Sequence, residues 1–261
     1  VYEQKLYNTK IVLLFLLGFT ALFWTASSRM FPKWPGVPPV PSLAGAEAMT
    51  LGDKEFSFRF LAIILQNFGD MGINKTALKD YNYKELGKWF FLLNRLDPIS
   101  DHVPMLAAHY FGGSSVPENA AEVVKYLGEV GQIPIGEKWR WLAHAAYLAQ
   151  HKVGDIDLAL KYAYKLQKMN DEYNLGMPQW ARQMPAFILN NRGEKEASRK
   201  LMENFLVTEK NVDPAEINFM RLYLMEEFGL SEDYVNQLVR MRGDDKDTAE
   251  KVRDLMKQKD K

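Results

Sequence analysis

The chain has no cysteine among its 261 residues. Disulfide frameworks, thiolate zinc sites, iron–sulfur clusters and cysteine nucleophiles are therefore excluded. The redox compartment stays open, since a cysteine-free chain is at ease in an oxidising one. Neither charge is in excess: 33 Lys and Arg face 33 Asp and Glu. With no global field and no long basic tract, the sequence argues against nucleic acid as a partner. Catalytic signatures are also missing. No serine elbow of the GxSxG kind occurs, and Gly112-Gly113-Ser114-Ser115 lacks the lysine and spacing of a phosphate-binding loop and reads as an inter-helix turn. Glu226 and Glu227 are neighbours on one predicted helix, point in different directions and make no general-acid pair. No stretch alternates as a strand would. The expectation is a protein that is not an enzyme and needs no cofactor or metal.

What is present begins with an apolar run. Residues 11–27 read IVLLFLLGFTALFWTAS without a charge. At 1.5 Å per residue such a helix reaches about 25 Å, just enough to cross a bilayer core. Lys5 and Lys10 flank one end and Arg29 and Lys33 the other, with Phe23, Trp24, Phe31 and Trp34 where an interfacial aromatic belt would sit. A flank at 1–10 and a transmembrane anchor at 11–28 are expected, so membrane lipid is one expected partner. The alternative is a signal peptide cleaved near Thr25-Ala26-Ser27-Ser28, which would release an exported soluble protein. The orientation expected is N-terminus inside and domain outside, which in a bacterium places a single-pass inner-membrane protein with its domain in the periplasm. A Pro-rich linker at 29–50 follows. Its five prolines between Phe31 and Ser42 favour an extended spacer holding the domain off the membrane.

From Asp53 onward, apolar residues recur at helical spacing. Predicted helices cover 53–68, 83–96, 102–110, 117–130, 137–152, 156–169, 177–190, 194–206, 214–228, 231–240 and 247–256. Some ends are chemically signed: Asp213 caps a helix whose first residue is Pro214, and Gly229 suits the left-handed residue that closes it. Internal similarity is the strongest signal. Trp141 precedes Gly154 by thirteen positions and Trp180 precedes Gly193 by thirteen, so the two units are offset by thirty-nine. Pro104 and Gly112 align with Pro185 and Gly193 as a weaker, earlier unit. Each unit reads as helix, glycine turn, helix. One helical hairpin cannot bury its own apolar face, so hairpins stack on a shared core.

The stretch from Gly154 to Ala163, GDIDLALKYA, resembles the turn and second helix of a tetratricopeptide repeat (TPR). Gly193-Glu194-Lys195-Glu196-Ala197 is a looser version, Leu96-Asp97-Pro98 resembles a repeat end, and Leu106 to Tyr110 resembles a first helix. The likeness spans roughly residues 80–210 and departs in period, near forty rather than about thirty-four. The order of anchor, Pro-rich spacer and degenerate repeats resembles bacterial membrane-anchored TPR-like proteins. That resemblance implies an all-α fold, one transmembrane helix followed by a TPR-like α-solenoid at 51–240, and protein–protein scaffolding without catalytic residues. A charged tail or helix at 241–261 ends the chain.

The four histidines fall at equivalent repeat positions, His102 and His109 seven apart and His144 and His151 seven apart. Seven helical residues span about 10.5 Å, too far for one pair to share an ion, so a metal would need ligands from adjacent helices. A shared surface is the better use of them. Arg140, His144 and His151 form a polar stripe; one repeat later it becomes Gln183 and Asn190, and one repeat earlier His102 and His109. Stacked hairpins would align these residues along one groove able to hydrogen-bond an extended peptide or a partner helix, with Trp141 or Trp180 as an aromatic anchor. The plain alternative is a solvated face with both tryptophans in the core. The function expected is a membrane-anchored interaction scaffold, or an accessory subunit of a membrane or envelope complex. An envelope hydrolase of helical-superhelix type using Glu216 or Glu226 is the competing reading.

Overall fold

The computed structural model describes residues 2–27, 36–69, 75–209 and 212–242. Outside them lie the predicted helix at 247–256 with nearly all of the charged tail, the belt residues Phe31 and Trp34, and the first part of the Pro-rich linker, 29–35. The described chain is all-helical. A long first helix, α1 (Tyr2–Ser27), precedes the short α2 (Leu43–Ala48) and then α3 (Lys54–Gln66), α4 (Tyr83–Leu96), α5 (His102–His109) and α6 (Pro117–Val130). They are followed by α7 (Trp139–Leu148), α8 (Ile156–Tyr173), α9 (Gln179–Arg192), α10 (Lys195–Thr208), α11 (Pro214–Phe228) and α12 (Glu232–Arg240).

Local chemistry accounts for most of these boundaries. Side chains of Asp53, Asn82, Asp155 and Ser231 each accept from the backbone N–H three residues on, satisfying donors the first turn leaves open. Pro117 and Pro214 open α6 and α11, where the missing N–H has no partner to lose. Gly154 and Gly193 follow α7 and α9 at φ +80° and +89°, a region in which a Cβ is disfavoured. Two helices depart from the sequence expectation. The α-helical part of α7 stops at Leu148, and residues 149–153 form a π-helical turn before Gly154. Helix α8 continues to Tyr173, where Asn174 at φ +48° ends it.

Successive helices from α6 to α10 pack against one another, α4 lies along α6, and α5 lies on α6 and α7. Their shared interior is one long apolar cluster from Val37 to Leu189, with Leu86, Phe90, Leu93 and Leu127 fully buried. Each such side chain contributes on the order of 1.5–3 kcal/mol relative to exposure. A second cluster joins α9 to α12 through Met202, Leu206, Met220 and Leu224. A third seats Trp139 and Leu142 of α7 against Leu166 and Met169 of α8. Ala159 and Ala163, within the stretch from Gly154 to Ala163, are completely buried, as close helix approach requires. The tightest approach to another backbone is at Gly131: a Cβ there would lie 2.2 Å from the backbone N of Leu142.

The segment 36–50 is not an extended spacer. Val37 and Ala46 are in the main core, the indole N–H of Trp89 donates to the carbonyl of Pro38 at 2.8 Å, and the amide of Val40 donates to Glu85 at 2.8 Å. Hydrogen bonds from Lys88 and from Val40 hold the Glu85 carboxyl below the usual carboxylate range. Residues 43–48 form α2, capped by Ser42 and tied to α3 by the Ser57 hydroxyl donating to the carbonyl of Ala46. The prolines lack amide donors, but the carbonyl of Pro38 and the amide of Val40 find partners on α4.

Candidate interaction ridge

Helix α5 and helix α7 bring together aromatic and imidazole rings that are far apart in sequence. His109 at the end of α5 lies 4.9 Å, centroid to centroid, from His144 and 6.2 Å from Trp141 on α7. His144 is 5.9 Å from Tyr147, which is 4.6 Å from His151 in the π-helical turn. Tyr147 and His151 are four residues apart, the spacing that brings side chains together on one helix face. The result is a continuous run of rings along the α5–α7 seam, with Tyr147 52% exposed, His109 and His151 exposed and His144 half-buried.

Electrostatics on this ridge are set by burial. The His144 pKa is lowered, first by burial and then by the neighbouring His109, against a hydrogen bond to the carbonyl of Ala108. A neutral imidazole at this position offers one donor and one acceptor. Two imidazoles from adjacent helices do face each other, as a metal would need, but among the described residues no three His, Asp or Glu side chains are grouped to hold an ion. The arrangement can stack planar or aromatic groups and hydrogen-bond to them.

Trp141 supports the ridge from below. It is buried, and its indole N–H donates to Asp101 at 2.6 Å. The ammonium of Lys138, 2% exposed, donates to the carbonyl of Ser100 at 2.9 Å and lies 3.6 Å from Asp101. Burial lowers the Lys138 pKa, and the Asp101 carboxylate opposes that shift. Together they latch the loop before α5 to the start of α7. Neither Asp101 nor Lys138 stood out in the sequence, although Asp101 and Trp141 are forty residues apart, close to the repeat offset.

The remaining stripe residues do not join this surface. Gln183 is 1% exposed and donates from Nε2 to Glu216 at 2.9 Å, so no partner can reach it; the expectation of a groove-lining amide is corrected. Asn190 is half-buried and donates to Glu227 at 3.3 Å. Both tie α9 to α11. Arg140 is exposed and paired at 2.9 Å with Glu137 in the turn just before α7. His102 is half-buried at the start of α5, a full helix length from His109. Trp180 is 47% exposed and rests on Trp139 at 5.9 Å. Of the two tryptophans, only Trp180 has a face available to a partner.

Helix α1 is a different surface. From Lys10 to Ser27 none of it is buried, and Leu14, Phe15, Leu17, Leu22 and Trp24 are each 70–73% exposed. Its hydroxyls are satisfied within the helix, Thr20 donating to the carbonyl of Leu16 at 2.7 Å and Thr25 to that of Leu22 at 2.9 Å. Thr20 and Ala21 leave a shallow notch walled by Leu13, Leu17 and Trp24. No protein-family model, curated protein or solved structure matches this chain.

Proposed function

We propose that this chain is a membrane-anchored protein-interaction subunit without catalytic activity of its own. In this reading α1 spans a bilayer, α3 to α12 form a TPR-like solenoid, and the α5–α7 ridge with Trp180 meets partner proteins of a membrane or envelope complex. The observation that carries it is the 18-residue run Lys10–Ser27, apolar on every side and unburied, in front of a helical domain. Water is a poor solvent for that helix and lipid a good one. Internally satisfied hydroxyls fit an apolar surrounding, where each open polar group costs several kcal/mol. The notch at Thr20 and Ala21 suits close contact with another transmembrane helix. The reading places the domain on the outer face, the periplasmic side in a bacterium.

The test is isolation of the full chain from its native membrane in mild detergent through a C-terminal tag, with mass spectrometry of what accompanies it. A partner in reproducible fixed ratio, with α1 intact on the purified protein, is the expected result. A protein recovered alone and lacking α1 points to signal cleavage and overturns the anchored reading.

A further inference from the structure

Helix α3 divides its side chains between two surfaces. Phe58, Leu61, Ala62 and Leu65 are buried against the domain, where α3 packs on α2, α4 and α5. On the outward side Phe56, Phe60 and Ile63, at helical spacings of four and three, are 56%, 43% and 62% exposed. The turn leading into α3 adds Met49, 60% exposed, and Leu51, 100% exposed. Leu51 holds φ +58° and Gly52 +90°. A leucine is disfavoured in that left-handed region, yet here it adopts it and points entirely into solvent. Five large apolar side chains thus crowd one end of the domain, a patch of the kind that marks a binding surface.

Its position indicates what covers it. From Ser27, the last residue of α1, to Gly36 there are nine peptide links, which reach at most about 30 Å. Gly36 sits against the ring of Tyr81, whose hydroxyl donates to the carbonyl of Phe68 just past the end of α3. The domain therefore takes up the chain beside the C-terminal end of α3, and the thirteen residues of α3 are only about 20 Å long. Of the charges bordering the patch, Lys54 pairs with Glu47 at 3.5 Å and Arg59 with Glu55, and the Asp53 carboxylate accepts from the amide of Phe56 as the cap of α3. Among the described residues no unpaired cation borders the patch, so nothing there requires anionic lipid.

We propose that the Phe56–Phe60–Ile63 face of α3, together with Met49 and Leu51, seats in the interfacial layer of the same bilayer that α1 spans. This inference rests on the anchored reading of α1. The domain then lies against the membrane through an amphipathic helix, its apolar side chains at the headgroup–acyl boundary. Because the contact is apolar, it holds in zwitterionic lipid and at high salt.

The absence of native cysteine permits a direct test with the full chain. Single variants Phe15→Cys, Leu51→Cys, Phe60→Cys and Tyr173→Cys, each carrying an environment-sensitive fluorophore, are reconstituted into phosphatidylcholine vesicles with and without doxyl-labelled lipid. Tyr173, 53% exposed on α8, serves as the solvent control. The expected result is strong quenching at position 15, quenching at 51 and 60 about half as large, and little at 173, unchanged in 1 M salt. Quenching at 15 with none at 51 or 60 overturns the inference and leaves the anchor standing; a second copy or a partner protein covering α3 gives this result. Absence of quenching at 15 overturns the anchored reading, and this inference with it.

Discussion

Helices α7 and α9 carry matching residues thirty-nine positions apart and use them differently. Both end in a left-handed glycine, Gly154 and Gly193, thirteen residues after a tryptophan. Yet Trp141 is buried on Asp101 while Trp180 is half-exposed on Trp139. His144 stays at the surface facing His109, whereas Gln183, thirty-nine residues later, is buried on Glu216. The difference lies in the neighbours. Helix α7 lies beside the eight-residue α5, too short to cover its full length, and α9 is tied to the fifteen-residue α11. The matching spacing gives the two helices the same left-handed glycine end, and the helix alongside decides what each side chain meets.

The sharpest way to break the equivalence is at α8 and α10. Leu160 on α8 corresponds to Arg199 on α10, and both are 8% exposed. Arg199 pairs with the buried Glu203 at 2.6 Å and with Glu196. Arg199→Ala strands a buried carboxylate and is expected to lower stability by about 3–5 kcal/mol in chemical denaturation. Replacing Arg199 and Glu203 together by leucine copies the α8 solution and is expected to be close to neutral. If the single variant is also neutral, the pair does not hold α10 in place.

Next in size is Gly131→Ala, expected to cost roughly 3 kcal/mol because the new methyl meets the backbone of Leu142. One repeat on, position 170 is already an asparagine, whose Oδ1 accepts from the amide of Met177. Asn170→Ala is expected to cost only about 1 kcal/mol, the value of that hydrogen bond. Equal losses from the two changes would mean the two junctions are alike after all.

Trp141→Phe removes a donor from a carboxylate and is expected to cost about 2 kcal/mol, while Trp180→Phe is expected to stay within about 0.5 kcal/mol. Thermal melts at matched pH separate the two. The smallest effect is on pH dependence. Burial holds the His144 pKa below its ordinary value of 6.5, so below pH 6.5 the unfolded chain takes up the proton first. The stability this provides is complete above pH 6.5 and is lost as pH falls through the folded-state pKa. His144→Gln is expected to flatten stability across that window, and an unchanged pH profile would assign the dependence elsewhere.

Much of the helical framework was legible because helix ends carry local chemistry. Asn82, Pro117 and the Asp213–Pro214 pair mark starts that the structure places at Tyr83, Pro117 and Pro214. Helix α2 was not legible: it has six residues, too few for a periodic pattern, and follows a proline run that reads as extended. The candidate site was legible only in part. Spacing put His109, His144 and His151 in one stripe; His109 meets His144 directly, while His151 joins them only through Tyr147, which no repeat argument selects. Lys138 reads as a surface lysine between Glu137 and Trp139, and its burial depends on a carbonyl thirty-eight residues earlier. Side-chain partners at that separation belong to tertiary packing, which local pattern does not encode.

The bond from Trp89 to the carbonyl of Pro38 shortens a leash. Were the chain free from Ser27 as far as Leu51, twenty-four links would let an anchored domain roam a layer about 80 Å deep above the membrane. With Gly36 pinned, nine links confine it to about 30 Å. In the anchored reading the same molecules would occupy a layer between a half and a third as thick, and a partner embedded in that membrane would meet them at a local concentration about 2.5 times higher. A ridge too weak to hold its partner in free solution could still capture it there.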